Sequence, residues 1–67
     1  MTNPAALANQ LLSYAELSAV EGCKPSATAF FLLAEDAIAE ILDPIVFLQA
    51  TLRADRFVRR YMLPEAV

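Results

Sequence analysis

Four arginines near the end of the chain are the residues whose type and spacing could do chemistry. Arg53, Arg56 and Arg60 follow one another at intervals of three and four residues, which places their guanidinium groups on one ridge of a helix. Such a ridge can bind carboxylates or phosphates. The sequence pI of about 4.6 disfavours nucleic acid. We therefore expect a solvated face or ion pairs with a protein partner, and keep nucleic acid as the weaker alternative.

Two carboxylates one helical turn apart, Asp36 and Glu40, could form half of a metal site. Helical-bundle metal sites normally add Glu-x-x-His pairs, and the chain contains no histidine. The serines also lack a histidine base that could activate them as nucleophiles. The sequence therefore predicts no catalytic residue, no metal site and no cofactor, and a protein that is not an enzyme.

The single thiol, Cys23, cannot form a disulfide within the chain and has no histidine with which to share a metal. We interpret it as a spectator thiol, unless the protein is exported and the thiol pairs with another chain. The start, Met1 to Pro4, lacks the basic residues of a secretory signal. Acids and arginines interrupt every long apolar run, so no membrane span is expected. These features predict a cytoplasmic protein.

The composition is unusually apolar for a chain of this length. Of 67 residues 58% are hydrophobic, and the mean hydropathy is +0.47. A chain this short buries only roughly 60% of its unfolded surface when it folds alone. We therefore expect another chain to cover part of its apolar surface. The charges are also unevenly placed, because one lysine and six acids precede Pro44 whereas four arginines and two acids follow it.

Three helices are predicted from the capping signals and apolar periodicity. Asn3-Pro4 can start a helix and Gly22 can end it, which gives helix 1 at about 4–21. Ser26 is a plausible N-cap for helix 2, at about 27–42. Asp43-Pro44 can break or kink the chain, and we favour a break into helix 3, at about 44–62. Residues 63–67 are expected to form a frayed tail.

The helical faces divide the side chains into core and surface. Helix 1 should turn a polar face with Asn9, Ser13 and Glu16 away from its main apolar face. The wide apolar stripes of helices 2 and 3 are assigned to the core, and these stripes include Leu33, Leu42 and Phe47. Helix 3 carries a second apolar stripe at coiled-coil-like spacing. The predicted partner-binding residues combine exposed apolar positions with the arginines and a tyrosine that can anchor an interface: Leu17, Val20, Ile45, Leu48, Leu52, Arg53, Arg56, Arg59, Arg60 and Tyr61.

The sequence as a whole predicts a small all-α domain, with an antiparallel hairpin of helices 1 and 2 and helix 3 folded back across it. We expect it to form a homodimer. The predicted function is a non-enzymatic interaction module that binds a regulatory protein and modulates or inhibits it by occupying its surface. The alternative is a small helix-turn-helix regulator whose last helix enters the groove of DNA with its arginines.

Overall fold

The computed structural model describes residues 3–62, and this part of the chain contains three α-helices and no strand. They are α1 (Pro4–Val20), α2 (Lys24–Ala39) and α3 (Pro44–Phe57), and a π-helical turn (Val58–Met62) continues α3. The prediction of a small all-α fold is confirmed for these residues. The predicted tail at 63–67 lies outside them.

Two Asx-Pro pairs start α1 and α3 in the same way. The Asn3 side chain accepts a hydrogen bond from the Ala5 amide at 2.9 Å. The Asp43 carboxylate accepts bonds from the amides of Ile45 and Val46 at 2.9 and 3.3 Å. The proline after each cap occupies the first helical position, where a missing amide proton costs no hydrogen bond. Asp43-Pro44 therefore separates two helices instead of kinking one.

A tight turn at Gly22 ends α1. Gly22 has a φ of 83°, a conformation in which an L side chain is strained. Its amide donates to the Ala19 carbonyl at 3.0 Å, and the Cys23 amide donates to the Ser18 carbonyl at 2.8 Å. These two bonds form a Schellman motif, which satisfies carbonyls that the end of a helix leaves free. The turn allows α2 to begin immediately and to reverse direction.

The bounds of α2 differ from the sequence prediction at both ends. The helix begins at Lys24, so Cys23 and not Ser26 holds the N-cap position. Pro25 then falls in the first turn, where helices tolerate proline. The helix ends at Ala39 instead of residue 42. Asp43 must be extended, with ψ 117°, to cap α3 ahead of Pro44, and the chain reorients over residues 40–43.

The helices run up, down and up. Tyr14 and Phe30 are equally far from Gly22 along the chain, and their ring centroids lie 5.5 Å apart, as an antiparallel α1–α2 hairpin requires. Arg53 of α3 bonds to the middle of α1, and Tyr61 lies near Ala19 at the end of α1. Helix α3 therefore runs parallel to α1 and antiparallel to α2.

Small side chains dominate the core. Seven of the eleven buried residues are alanines, and Leu12 is the one large side chain that is completely buried among the described residues. The rings of Phe31 and Phe57 stack where α2 meets α3, with their centroids 5.4 Å apart. The buried set is Ala8, Leu12, Ala15, Ala27, Phe31, Ala34, Ala37, Ile38, Ala50, Ala54 and Phe57. Alanines allow close approach of the backbones, and this narrow core leaves many larger side chains outside.

Three residues assigned to the core from the sequence are exposed instead. Leu42 is 95% exposed, because it lies in the connection before α3 and not on α2. Leu33 points away from the buried side of α2, and Phe47 lies at the open edge between α2 and α3. The apolar stripes are wider than the faces that neighbouring helices cover.

Candidate interaction surface and arginine cleft

The outer stripe of α3, defined as Ile45, Leu48 and Leu52, is the most apolar solvent-facing feature of this helix. These side chains are 69%, 56% and 52% exposed. At about 100° per residue they lie diametrically opposite Ala50, Ala54 and Phe57, the buried residues of α3. The outer stripe therefore cannot contact α1 or α2 and faces solvent along the first half of α3.

An ion pair continues the line of the outer stripe. Arg59 Nε lies 3.0 Å from Asp55 Oδ2, and the two residues are four positions apart on the same helix. Both side chains are largely exposed, so the pair is worth only about 0.3–0.5 kcal/mol. Its main consequence is positional, because it places one charge of each sign beyond the apolar end of the outer stripe.

Arg53 points inward and joins α3 to α1. Its guanidinium donates to Asn9 Oδ1 and Ser13 Oγ at 2.9 Å each, and it forms a 3.2 Å ion pair with Glu16 Oε1. The Ser13 hydroxyl donates to the Asn9 carbonyl at 3.0 Å, which leaves its oxygen free to accept from Arg53. The polar face of α1 thus contacts α3. Arg53, expected to bind a partner, is half-buried and holds the fold together.

Arg56 and Arg60 lie on the same side of α3 as Arg53 but beyond the reach of its network. With Glu16 and the rings of Phe57 and Tyr61 they line a cleft of about 260 Å³, here called the arginine cleft, between α1 and the end of α3. The Arg60 guanidinium carbon lies 5.7 Å from the centroid of the Tyr61 ring. The list of residues that line it is Glu16, Arg53, Arg56, Phe57, Arg60 and Tyr61.

The charge of the arginine cleft is opposite to that of the chain. Three guanidinium groups face one carboxylate there, whereas the whole chain carries a net charge of −3. Within residues 3–62 neither Arg56 nor Arg60 has a carboxylate partner within 4.0 Å. Tyr61 is half-buried and packs on Phe57 with centroids 5.3 Å apart, so it forms a fixed wall of the cleft.

The remaining predicted partner-binding residues, Leu17 and Val20, are exposed but separate from the outer stripe. They lie near the end of α1, which is level with Tyr61 and Met62 at the end of α3. The outer stripe lies instead near the N-terminal end of α3. The predicted set is therefore divided between the outer stripe, the arginine cleft and the end of α1, and does not form one continuous surface.

Two surface features were not predicted from the sequence: the groove beside Leu42 and the contacts of Glu16. Leu42 borders a shallow apolar groove of about 470 Å³ between the start of α1 and residues 40–46. Glu16, assigned from the sequence to the polar face of helix 1, contributes to both the Arg53 network and the arginine cleft. The i, i+4, i+7 spacing of Asn9, Ser13 and Glu16 was a visible signal, because three polar groups on one helical line can hold one guanidinium.

Cys23 has a perturbed thiol at the start of α2. Its Sγ lies 3.2 Å from Ser26 Oγ, and the side chain is exposed. The hydroxyl of Ser26 and then its backbone amide stabilise the thiolate, which lowers the pKa of the Cys23 thiol below its ordinary value.

Among residues 3–62 no group of three or more His, Cys, Asp or Glu residues is arranged to hold a metal ion.

None of the helices in the described range combines the length and apolarity that crossing a membrane would require. Comparison of the chain with protein-family models, with curated proteins and with solved structures finds no match.

Proposed function

We propose that the protein is a non-enzymatic interaction module of the cytoplasm, which dimerises through the outer stripe and modulates or inhibits a regulatory protein by occupying its surface. The observation that carries this proposal is the solvent exposure of Ile45, Leu48 and Leu52 on the side of α3 opposite the core. Fully burying side chains of this size is worth about 1.5–3 kcal/mol each. A second copy supplies a matching apolar surface.

The number of exposed apolar side chains also favours association. Ten large apolar side chains within residues 3–62 are exposed, because the alanine-rich core leaves them outside. Apolar surface of this kind favours contact with another chain.

The charges on α3 favour an antiparallel pairing of the two outer stripes. A parallel pairing would place Asp55 beside its own copy and Arg59 beside its own copy, and like charges at such positions are destabilising. An antiparallel pairing with its two-fold axis near Leu48 packs Ile45 of one copy against Leu52 of the other. The charged second half of each α3 then lies beyond the apolar contact, towards the acidic connection before the partner's α3.

The test is the mass of the protein in solution, measured by size-exclusion chromatography with light scattering at micromolar concentration. The wild-type chain should have twice its mass of 7.3 kDa. Leu48→Lys combined with Leu52→Lys should be monomeric, because two charges would be buried in the contact. Leu32→Lys is the matched control, since Leu32 is 54% exposed on α2 and lies outside the contact.

Crosslinking in a Cys23→Ser background completes the same test. Ile45→Cys and Leu52→Cys proteins should form a disulfide with each other when mixed, whereas neither should crosslink efficiently to itself. A folded wild-type monomer at micromolar concentration would overturn the dimer. Strong self-crosslinking at both positions would overturn its antiparallel orientation.

The helix-turn-helix alternative draws less support from the arrangement of the arginines. Arg53 is engaged by α1, so two guanidinium groups remain on that ridge. Much of the affinity for DNA comes from phosphates that arginines and lysines neutralise, so a small basic surface contributes little. A groove-binding helix would also leave the outer stripe without a role.

A further inference from the structure

The arginine cleft has a geometry that the dimer contact does not use. Arg56 and Arg60 are four residues apart where α3 passes into its π-helical turn, and both line the same cleft. Each guanidinium can donate two parallel hydrogen bonds to a carboxylate. Two carboxylates one helical turn apart on another protein have the same spacing.

We propose that the arginine cleft binds a helical segment of the protein partner through a pair of carboxylates at positions i and i+4. The inference depends on the proposed function, because it supplies the chemistry of the modulated partner. Arg56 and Arg60 bind one carboxylate each. The half-buried ring of Tyr61, which packs on Phe57, provides an apolar wall for the partner's aliphatic side chains.

The Arg53 network fixes the inner wall of the cleft. Glu16 is held 3.2 Å from Arg53 and therefore balances that guanidinium. Arg56 and Arg60 carry the remaining positive charge. Arg60 also lies over the face of Tyr61, a cation–π arrangement that restricts the orientation of its guanidinium. Two cations without a carboxylate partner among residues 3–62 suit a pair of carboxylates.

Nucleic acid fits the cleft less well. A phosphate backbone presents a long series of charges and is bound by an extended basic surface. Here the two available guanidinium groups are about one helical turn apart, while Glu35 and Asp36 on α2 and Glu40 at its C-cap are exposed acids. The carboxylate pair of a protein helix matches both the number and the spacing of the available guanidinium groups.

The experiment uses the full chain and a fluorescein-labelled, alanine-rich peptide of about 18 residues, long enough to populate a helix. The peptide carries one pair of glutamates four residues apart, and its control carries glutamines there. Fluorescence anisotropy at about 50 mM salt should show saturable binding of the glutamate peptide and much weaker binding of the glutamine peptide. Raising the salt to about 200 mM should weaken the binding, since exposed ion pairs are screened.

The variants assign the binding to the cleft. Arg56→Ala and Arg60→Ala should each weaken binding about threefold to fivefold, as expected for exposed charge pairs, and the double variant should weaken it about 10-fold to 25-fold. Arg59→Ala is the matched control, because it removes the same charge from the same helix but from a side chain paired with Asp55. Its affinity for the peptide should stay within about twofold of wild type.

Three results would overturn the proposal: equal binding of the two peptides, an equal loss of affinity in Arg59→Ala, or displacement of the peptide by a lower concentration of duplex DNA. Light scattering separates this proposal from the dimer. Peptide binding that persists in the monomeric Leu48→Lys, Leu52→Lys variant would support the cleft even if the dimer proposal failed. A dimeric wild type without peptide binding would refute the cleft alone.

Discussion

The α1–α2 hairpin and α3 are held in the molecule by different means. The hairpin is closed by the Schellman turn at Gly22 and packs extensively along alanine-rich faces. Helix α3 has fewer contacts with each of its neighbours. Its attachment depends on the aromatic stack of Phe57 on Phe31 and on the Arg53 network. The same helix carries the outer stripe and the arginine cleft.

The two proposed binding surfaces therefore lie on the helix that has the fewest contacts with its neighbours. A few specific contacts hold α3 in position, chiefly the Phe31–Phe57 stack and the Arg53 network. Burial at the outer stripe by a second copy would add contacts to α3 and stabilise it by mass action. The following predictions test whether these few contacts hold α3 in position.

Replacing Phe57 with alanine should have the largest effect. Phe57 is 3% exposed and contacts both Phe31 and Tyr61, and truncation of a buried phenylalanine costs about 3–5 kcal/mol. Urea denaturation measures this loss in the free energy of unfolding. Hydrogen exchange should also show α3 amides losing protection before those of the hairpin. Phe47→Ala, on the same helix but 42% exposed, should cost less than about 1.5 kcal/mol. Equal losses in the free energy of unfolding for Phe57→Ala and Phe47→Ala would contradict the view that a few specific contacts hold α3 in place.

Replacing Arg53 with methionine should have an intermediate effect. The change keeps much of the side-chain volume but removes three polar contacts with α1. Because Arg53 and Glu16 are partly exposed, water can replace some of these bonds, and we expect a loss of about 1–2 kcal/mol in urea denaturation. Arg56→Met should stay within about 0.5 kcal/mol of wild type. A loss in Arg56→Met as large as that in Arg53→Met would refute the structural role of Arg53.

The prediction with the smallest expected effect concerns the pKa of the Cys23 thiol, in the turn between α1 and α2. Since Ser26 lowers the pKa of the Cys23 thiol, the rate of alkylation should rise with pH at a lower midpoint than for an unperturbed cysteine. Ser26→Ala should move this midpoint to higher pH. The folded state has the lower thiol pKa, so the linked stability is present above the unfolded pKa and is lost as pH falls through the folded pKa. An unchanged midpoint in Ser26→Ala would show that the hydroxyl does not stabilise the thiolate.

Capping signals and the outer stripe were predictable because they are local. Asn3-Pro4, Gly22 and Asp43-Pro44 act through backbone groups within a few residues, so their effects do not depend on the rest of the fold. The exposure of Ile45, Leu48 and Leu52 also followed from periodicity, since a helix cannot turn two opposite faces towards one core.

The start of α2 and the role of Arg53 were not predictable in the same way. Both Cys23 and Ser26 precede helical residues, and the choice between them depended on how soon the chain could reverse after Gly22. A long arginine side chain can point to solvent or cross to another helix with nearly the same local energy. Contacts with Asn9, Ser13 and Glu16 decide its direction, and these residues lie far away in the sequence.

Neighbouring residues and helical periodicity encode the number of helices, the two Asx-Pro starts, the glycine turn and the apolar outer stripe. The packing of the helices settles which side of α1 meets α3, gives Arg53 its structural role and brings Arg56 and Arg60 to a cleft with Tyr61. Those outcomes depend on the packing of helices around small alanine side chains. Helix packing sets which faces meet, and no local pattern contains that information.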